Sequence, residues 1–341
     1  MKAAIHLRKV AHPLRKSLRY AVFFGVAGTL LWLAFRETDP KTLWANLAGA
    51  DYRFILLSMI MGYIAYISRG LRWNLLLASM GYRAKKASSI HSVAVGYLTN
   101  MAVPRAGEVA RCTALNRLEN IPISKLLGTV VLERAIDFLM LFLFLCGVLL
   151  TSYNDFLIFF EKASGAKQPT SEGSNLVLLL GASVFLLLLG ILWWKWHERI
   201  RSHWAWHKLK DFASGLAEGF KTLSKIDNKG LFVVHTLIIW SMYFFMVYIC
   251  IFALPATSTL SYSNMLFVMV AGAMGMVVPV PGGVGAYHYL VVLSLGVLGV
   301  SETVGLSFAT LVHSAQALMG IISGGVGFLY LTKKRSDAQS I

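Results

Sequence analysis

The longest uncharged stretch of the chain runs from Gly230 to Ser301, 72 consecutive residues without Asp, Glu, Lys or Arg. Soluble domains carry charge on about one residue in four, whereas this chain of 341 residues is 57% hydrophobic and 14% charged. Such a run fits a lipid environment, because about 20 apolar helical residues cross the ~30 Å hydrocarbon core of a bilayer. The composition excludes a soluble globular enzyme and predicts an all-α polytopic membrane protein.

Six apolar segments are predicted to cross the membrane in full. They are 20–35, 54–77, 126–150, 173–194, 231–253 and 303–332. The segment 54–77 is long enough only if Arg69 and Arg72 lie near the membrane surface. The first segment follows a basic 19-residue N-terminus and lacks a small-residue cleavage site, so we interpret it as a span and not as a signal peptide.

The basic residues indicate which side of the membrane each loop occupies. Most of the 32 Lys and Arg residues lie in four clusters, at 2–19, 69–125, 195–229 and 333–335. By the positive-inside rule both termini are cytoplasmic, as in a multi-pass inner-membrane protein. The net charge of +16 is then an orientation signal that faces anionic lipid, and no nucleic-acid partner is expected.

The parity of the crossings predicts two further segments that enter the membrane and turn back. Ala87–Pro104 begins inside, and the arginines of 105–117 place its far end inside as well. The limbs 265–278 and 286–300, which turn at 279–285, begin outside instead. We therefore predict about six full transmembrane helices plus two re-entrant broken-helix hairpins. Eight or more plain spans are the alternative.

The two turns resemble each other in sequence. Asn100–Ala110 matches Gly275–Gly285 at Met, Val, Pro, Gly and Val, five of eleven positions at an offset of 175 residues. Related segments that enter from opposite faces are the signature of an inverted repeat. An inverted-repeat arrangement of the two halves is therefore expected.

The predicted domain organisation is one transmembrane domain between two basic cytoplasmic tails. The bounds are 1–19 for the N-terminus, 20–332 for the domain (halves of about 20–155 and 173–332) and 333–341 for the tail. Apolar residues at steps of three and four, flanked by lysines, predict a cytoplasmic amphipathic helix at 203–226. Thr42–Ala48 is expected to form a shorter surface helix on the outer side.

Three charged residues, Glu133, Arg134 and Asp137, interrupt one of the predicted spans. Ionised groups at that depth cost at least ~2.5 kcal/mol each unless they are paired or hydrated, so they should face the protein interior or an aqueous cavity. Glu133 and Asp137 lie one helical turn apart and share a face. Arg134 points elsewhere, and Glu108 is its candidate partner. A structural ion pair and a substrate role both stay open.

Two features have the chemistry of a phosphate site. A Pro or Gly break frees backbone N–H groups at a half-helix N-terminus, where an anion is favoured. The second turn offers such a break at Pro279, Pro281, Gly282, Gly283 and Gly285. Two arginine pairs, Arg69 with Arg72 and Arg105 with Arg111, could hold a phosphate through guanidinium forks. The simpler interpretations are a packing kink for the turn and positive-inside anchoring for Arg72.

No pattern in the sequence indicates a metal or a cofactor. There is no nucleophile elbow, zinc-ligand spacing or phosphate-binding P-loop. His313 and Gln316, three residues apart in the last span, are interpreted as polar contacts between helices. The three cysteines are too few and scattered for a disulfide framework and are expected in the core: Cys112, Cys146 and Cys250.

Several motifs can be compared together with known families. They are Arg69-Gly-Leu-Arg72-Trp73, Gly96-Tyr-Leu-Thr-Asn100, Pro104-Arg105-Ala-Gly107-Glu108 with Arg111, Glu133-Arg134 with Asp137, and Pro279-Val-Pro281-Gly-Gly-Val-Gly285. This set resembles the transmembrane, flippase-like domain of the bacterial lysylphosphatidylglycerol synthases and their stand-alone relatives, over roughly 15–332. The resemblance implies a bacterial inner-membrane protein whose paired re-entrant helices move a lipid between leaflets. The residues expected to bind the substrate are Arg69, Arg72, Asn100, Pro104, Arg105, Gly107, Glu108, Arg111, Glu133, Arg134, Asp137, Pro279, Pro281, Gly282, Gly283 and Gly285.

Three functions remain as hypotheses. The leading one is a translocase for a phospholipid or a lipid-linked intermediate with a phosphate headgroup. The second is a membrane enzyme that modifies lipid headgroups, with Glu108, Glu133 or Asp137 as general base. The third is a secondary transporter of a small solute. Because only nine residues follow the last span, the soluble synthase domain of two-domain relatives, and with it enzymatic activity, is not expected. A homo-oligomer is compatible with the sequence.

The topology makes a testable prediction. Single cysteines at Ala256 and Thr257, in an otherwise cysteine-free chain, should react with a membrane-impermeant maleimide added from outside, because the parity of the spans places this loop there. Labelling from the cytoplasmic side of inverted vesicles would refute the proposed parity.

Overall fold

The computed structural model describes Gly25 and residues 28–36, 38–164 and 226–339, with side chains up to Lys334. Every regular element in these ranges is helical, as the sequence predicts. Four of their helices are long and apolar enough to cross a membrane: Tyr52–Ala78, Ile123–Thr151, Lys229–Ala253 and Glu302–Lys334. Part of the predicted span 20–35, the whole of 173–194 and nearly all of the amphipathic helix 203–226 lie outside the described residues.

The α-helices of the described ranges after residue 38 are numbered here in chain order. They are α1 Pro40–Ala48, α2 Tyr52–Ala78, α3 Lys86–Ala102, α4 Gly107–Glu119, α5 Ile123–Thr151, α6 Tyr153–Ser164, α7 Lys229–Tyr248, α8 Tyr262–Val277, α9 Ala286–Val297 and α10 Glu302–Gln339. Short 3₁₀ helices occupy Ile249–Ala253, Pro255–Thr257 and Pro281–Gly283. Residues 28–35 are also helical.

Helices α2 and α7 pack side by side in opposite directions. The Ser58 hydroxyl donates to the Met246 carbonyl at 2.7 Å, and the Ser68 hydroxyl lies 2.8 Å from the His235 ring Nδ1. Small hydroxyl residues of this kind let two helix backbones approach closely. The pairing aligns the start of α2 with the end of α7, and the end of α2 with the start of α7.

The first turn of α2 is fixed by Asp51, which caps the helix. Its carboxylate accepts hydrogen bonds from the Arg53 backbone N–H at 3.0 Å and from the Arg53 guanidinium, and these bonds hold the pKa of Asp51 below its usual value. The Asp51 backbone N–H donates to the Ala253 carbonyl at 3.0 Å. We call this end of the bundle, where α2 begins, the "Asp51 end". The segment that follows α7 ends here as well.

The opposite end of the bundle, where α2 ends, is called the "Ala78 end". It contains all the described lysines except those of α1 and α6. At this end Leu76 packs against Ile226, which precedes α7, and against Phe232, which lies within α7. The His91 ring lies 4.3 Å from the Tyr330 ring near the end of α10. The starts of α3, α5 and α7 and the end of α10 thus meet at one end. The basic residues at these positions are Lys85, Lys86, Lys125, Lys229, Lys333 and Lys334, so the charge asymmetry of the sequence maps to one end of the structure.

Helices α3 and α4 form a first hairpin whose base is at the Ala78 end. A side chain on Gly107 would overlap the Gly96 carbonyl oxygen, so only glycine lets the two limbs approach this closely. The Asn100 amide oxygen accepts from the Gly107 N–H at 2.7 Å and closes the turn. The limbs of 17 and 13 residues measure about 25 and 20 Å, less than a full crossing.

Helices α8 and α9 form a second hairpin whose base is at the Asp51 end, where α8 follows the segment that ends α7. Gly282, Gly283 and Gly285 in its turn have φ angles of 59°, 77° and 85°, a backbone region that favours glycine. A Cβ on Gly275 would lie 2.8 Å from the Ala286 carbonyl oxygen. The Pro and Gly residues therefore form the tight turn that their spacing predicts.

The tips of the two hairpins meet midway along the bundle. The Arg105 guanidinium donates to the Val277 carbonyl at 3.0 Å and so satisfies an unpaired carbonyl at the end of α8. The turn around Gly282 approaches the Met101 backbone. Because α2 is 27 residues, about 40 Å, long, two short hairpins that start at its opposite ends can touch only near its middle.

The beginnings of the two turns correspond, and their ends do not. Helices α3 and α8 end at Ala102 and Val277, which are 175 residues apart. The next residues, Val103 and Val278, are both extended. Helix α4 resumes at Gly107, whereas α9 resumes only at Ala286. The sequence match therefore reflects how each first limb ends, and the second turn is four residues longer.

Three smaller predictions can also be checked. The surface helix predicted at Thr42–Ala48 is present as α1, and it starts earlier because Asp39 caps it. Cys112 and Cys250 are buried and Cys146 is partly buried, as expected. Thr257 is fully buried and its hydroxyl donates to the Ile251 carbonyl, so the exposed Ala256 is the better labelling position.

The hairpin packing makes a prediction. Gly275→Ala should destabilise the protein by about 1–3 kcal/mol, because the added methyl forces α9 away from α8. The matched control is Gly128→Ala in α5, where a Cβ meets no atom within 4 Å. Thermal unfolding of the detergent-solubilised protein measures the difference. Equal midpoints for the two variants would contradict the close approach of the limbs.

Candidate functional site

The charged residues of the first half meet in one buried network. Asp137 on α5 accepts from two arginines of α2, Arg69 at 2.8 Å and Arg72 at 3.1 Å. Arg69 also reaches the Tyr243 hydroxyl at 3.4 Å, and Arg72 donates to the Thr236 hydroxyl at 3.2 Å, both on α7. A single carboxylate thereby ties three helices together.

Glu133 forms the second centre of this network. Its carboxylate accepts a short hydrogen bond from Arg111 on α4, and its other oxygen lies 3.7 Å from Arg72. The Arg111 guanidinium also stacks on the Trp73 ring at 4.7 Å. Glu133 and Arg72 are fully buried. These pairs are therefore shielded from water, where removal of one partner is most costly.

Arg134 is the exposed member of the network. Its guanidinium lies 3.7 Å from Glu108 and 3.5 Å from Asp137, and 48% of its side chain is exposed. The contact with Glu108 agrees with the predicted pairing. Glu108 keeps one buried oxygen without a hydrogen-bond partner. The Arg134–Glu108 pair is thus looser than the buried contacts of Asp137 with Arg69 and Arg72.

The network carries more positive than negative charge. Four arginines face three carboxylates, which gives 4 − 3 = +1: Arg69, Arg72, Arg111 and Arg134 against Glu108, Glu133 and Asp137. The Nε atoms of three arginines are buried without a hydrogen-bond partner: Arg69, Arg72 and Arg111. Buried donors of this kind are costly unless a partner arrives. The site can therefore accept one further anionic group.

A small cavity opens onto this network between the limbs of the first hairpin. Its volume is about 10 Å³, room for roughly one water molecule. Its lining includes six of the predicted site residues and three others: Arg69, Asn100, Gly107, Glu108, Arg111 and Arg134, with Val93, Gly96 and Tyr97. In this conformation the cavity is too small for a phosphate unless Arg134 and Glu108 separate.

Sequence reasoning did not assign a role to Tyr97, which lines the cavity, or to the two tyrosines that it contacts. The Tyr97 ring stacks on Tyr66 at 4.0 Å, and its hydroxyl lies 2.9 Å from the Tyr243 hydroxyl. A signal was present, because the α3 residues that line the cavity recur at helical spacing and share one face. They are Val93, Gly96, Tyr97 and Asn100.

The remaining predicted residues divide into two groups. Arg72, Glu133 and Asp137 lie behind the cavity wall as ion-pair partners. The residues of the two turns lie at the junction of the hairpins and do not line the cavity: Pro104 and Arg105, with Pro279, Pro281, Gly282, Gly283 and Gly285. The first turn and the second are in contact through Arg105.

The structure shows how each arginine pair is arranged. Arg69 and Arg72 are 2% and 0% exposed and both pair with Asp137, so a carboxylate of α5 holds them inside the protein. Arg105 and Arg111 do not act as a pair, because Arg111 is buried against Glu133 whereas Arg105 is exposed at the tip.

The network makes a stability prediction. Glu133→Gln should cost about 3–5 kcal/mol, because it leaves Arg111 and Arg72 buried beside a neutral amide. The control Glu302→Gln changes an exposed carboxylate at the start of α10 and should be nearly neutral. Thermal unfolding in detergent measures both. A Glu133→Gln protein as stable as the control would show that the network does not hold the helices together.

Comparison with curated proteins finds distant relatives in archaea. The chain is 26% identical over 128 residues to the glycosyltransferase AglD of Haloferax volcanii, 37% of this chain and 20% of that protein. It is 26% identical over 167 residues to the UPF0104 membrane protein PH1989 of Pyrococcus horikoshii, 48% of this chain and 44% of that protein. The UPF0104 membrane protein MJ1595 of Methanocaldococcus jannaschii is 28% identical over 121 residues, 33% and 36% of the two chains.

These alignments cover less than half the length of each relative. No solved structure matches the chain significantly. A family model covers far more of it, since residues 18–324 match the family described as the lysylphosphatidylglycerol synthase TM region. This range includes both hairpins and every charged residue of the network. The chain therefore belongs to the lysylphosphatidylglycerol synthase transmembrane family.

Proposed function

We propose that this protein is a lipid translocase that carries the phosphate headgroup of a lipid past the buried arginine network. The observation that carries the proposal is the cavity between the limbs of the first hairpin. It is lined by arginines, it borders a network with one uncompensated positive charge, and it lies beside the junction of two broken helices. A phosphodiester carries one negative charge and matches this excess.

The two hairpins are re-entrant in this proposal and belong to an inverted repeat. Their limbs are too short to cross, their bases lie at opposite ends of α2, and their tips touch through Arg105 and Val277. Irregular backbone at membrane depth is tolerated only where protein or cavity water satisfies its polar groups. The meeting point of the tips is such a place, and a headgroup can pass there while its tails stay in the bilayer.

Arg134 and Glu108 control access to the cavity. Their contact of 3.7 Å is long, and both side chains are partly exposed. A phosphate that reaches Arg134 can replace Glu108 as its partner and form a two-pronged contact with the guanidinium. The deeper arginines stay paired with Glu133 and Asp137, so they supply positive potential without leaving their positions.

The Ala78 end faces the cytoplasm in this proposal, with both termini on that side of an inner membrane. The described lysines of the loops at this end support the orientation through the positive-inside rule. Their charge also attracts anionic headgroups to the leaflet from which the first hairpin enters. The chain carries no nucleotide-binding motif, so the driving force is an ion gradient or the lipid's own imbalance.

A second function is favoured by one relative, whose name states that it is a glycosyltransferase. The corresponding proposal is an enzyme that acts on lipid headgroups at the same cavity, with Glu108 as the least constrained carboxylate. Lipid mass spectrometry of a deletion strain separates the two functions. A missing lipid species favours the enzyme, whereas an unchanged composition with altered leaflet distribution favours the translocase.

The translocase proposal predicts that the purified protein in proteoliposomes accelerates the movement of labelled phospholipids between leaflets. Dithionite quenching of fluorescent lipids with anionic and zwitterionic headgroups measures the rate. Anionic lipids should move faster, because they match the excess charge of the site. Rates equal to those of protein-free vesicles for every headgroup would overturn the proposal.

Variants of Arg134 and Glu108, the two residues that control access to the cavity, should affect this rate differently. Arg134→Gln should slow anionic lipids by about tenfold, because one charge-assisted contact is lost. Glu108→Gln should preserve or raise the rate, because it removes the anion that competes with phosphate. The control is Arg53→Gln, an exposed arginine at the Asp51 end. Equal rates for Arg134→Gln and the control would exclude Arg134 from the headgroup site.

A further inference from the structure

A second polar cluster lies in the other half of the protein, away from the arginine network. The His288 and His313 rings are 4.9 Å apart between centroids, and the Tyr287 ring lies 5.1 Å from His313. Tyr287 and His288 begin α9 directly after the turn of the second hairpin, and His313 lies in α10. All three side chains are more than nine-tenths buried.

The polar atoms of this cluster lack partners. The Tyr287 hydroxyl and the Nδ1 atoms of His288 and His313 are buried and form no hydrogen bond. Buried polar atoms in native proteins are nearly always satisfied, so three unsatisfied atoms in one place indicate a small polar species such as a proton or water. A structural contact between helices would pair these atoms with each other, and they are not paired.

Among the described residues, no carboxylate forms an ion pair with His288 or His313. Helix α8 has no charged residue, Phe35 covers His288 with its ring at 6.5 Å, and Arg36 beside it is exposed and stacks on Trp32. Helix α9 has no charged residue either. No described salt bridge from the neighbouring helices α1, α2, α3, α4 and α6 involves either histidine.

We propose that the His288–His313 pair binds a proton and couples a proton gradient to the second hairpin. This inference rests on the translocase proposal and names its energy source. Each neutral imidazole has one N–H and one free lone pair, so either ring can accept a proton. Two imidazolium rings at this distance repel each other, so the pair holds one proton and not two.

Protonation acts on the hairpin because of where the pair lies. His288 is three residues beyond Gly285, the last residue of the turn, and His313 belongs to the neighbouring helix. An uncompensated positive charge between two packed helices is unfavourable in an apolar site. The proton therefore favours a conformation in which α9 separates from α10 and water reaches the rings, which moves the tip that contacts Arg105. Loss of the proton restores the packed arrangement.

Proton binding can be measured without any transport. The full chain with ¹⁵N-labelled histidine is placed in lipid nanodiscs and titrated by NMR, with signals assigned through His288→Gln and His313→Gln. Removing either histidine should shift the titration midpoint of the other by about half a pH unit, a threefold change in proton affinity, because the two sites interact. Midpoints that do not change, or rings that never titrate, would overturn the proposal.

The control variant is His91→Gln, which removes a partly buried histidine that contacts Tyr330 at the Ala78 end. It should leave the midpoints of His288 and His313 unchanged. If a Gln variant does not fold, His313→Phe keeps an aromatic ring at the site, and the effect on His288 is read from that protein. Size-exclusion profiles of all variants establish that the comparison is between folded proteins.

Transport then tests the coupling. In proteoliposomes a pH gradient should change the lipid translocation rate of the wild type and of His91→Gln at least threefold, and His313→Gln should lose this dependence. A wild type that moves lipid equally with and without a gradient overturns the coupling but leaves the translocase. Coupled titration in a protein that moves no lipid overturns the translocase but leaves the proton site.

Discussion

The contact of Asp137 with Arg69 and Arg72 determines the arrangement of much of the rest of this structure. Two guanidinium groups inside an apolar bundle are unfavourable by several kcal/mol each unless a carboxylate lies beside them. Asp137 and Glu133 on α5 supply these carboxylates, and Arg111 on α4 pairs with Glu133. Helices α2, α4 and α5 must therefore meet at one depth. The cavity lies where the first hairpin meets this network.

The two hairpins depend on a different constraint, the satisfaction of backbone groups where a helix stops inside the protein. Each first limb ends in an extended valine followed by proline, which leaves carbonyl groups without helical partners. The Arg105 side chain serves one of these groups on the opposite hairpin. This explains why an exposed arginine lies at a turn in the middle of the bundle. Each tip is stabilised by the other, so a movement of one changes the surroundings of its partner.

The two halves have kept different chemistry on a similar frame. In the first half the hairpin lies against arginines and carboxylates, and in the second half it lies against an uncharged cluster of His288, His313 and Tyr287. An anion is matched by the first environment and a proton by the second. In the proposed translocase the first site serves the lipid headgroup and the second serves the driving ion.

Much of the fold follows from the sequence because local rules decide it. The 72-residue uncharged run, the proline breaks and the offset of 175 residues were enough to locate the four described spans and both turns, since hydropathy and turn chemistry act over a few residues. The extent of the first hairpin was predicted wrongly, because Ala87–Pro104 is only its first limb and the return limb is α4, Gly107–Glu119. The shared face of Glu133 and Asp137 followed from helical periodicity in the same way. The contact between Arg134 and Glu108 was predicted because a buried charge needs a partner and few are available.

The tertiary structure alone decided which charges are buried and which stay free. From the sequence, Arg72 could be a phosphate ligand or a positive-inside anchor; only the packing of α5 against α2 brings Asp137 beside it. The sequence paired Arg105 with Arg111. In the structure Arg105 contacts the second hairpin, whereas Arg111 pairs with Glu133. Sequence determined the helices, their breaks and their charge asymmetry. Long-range packing determined the ion pairs, the cavity and the buried histidine pair, because these depend on contacts between residues far apart in the chain.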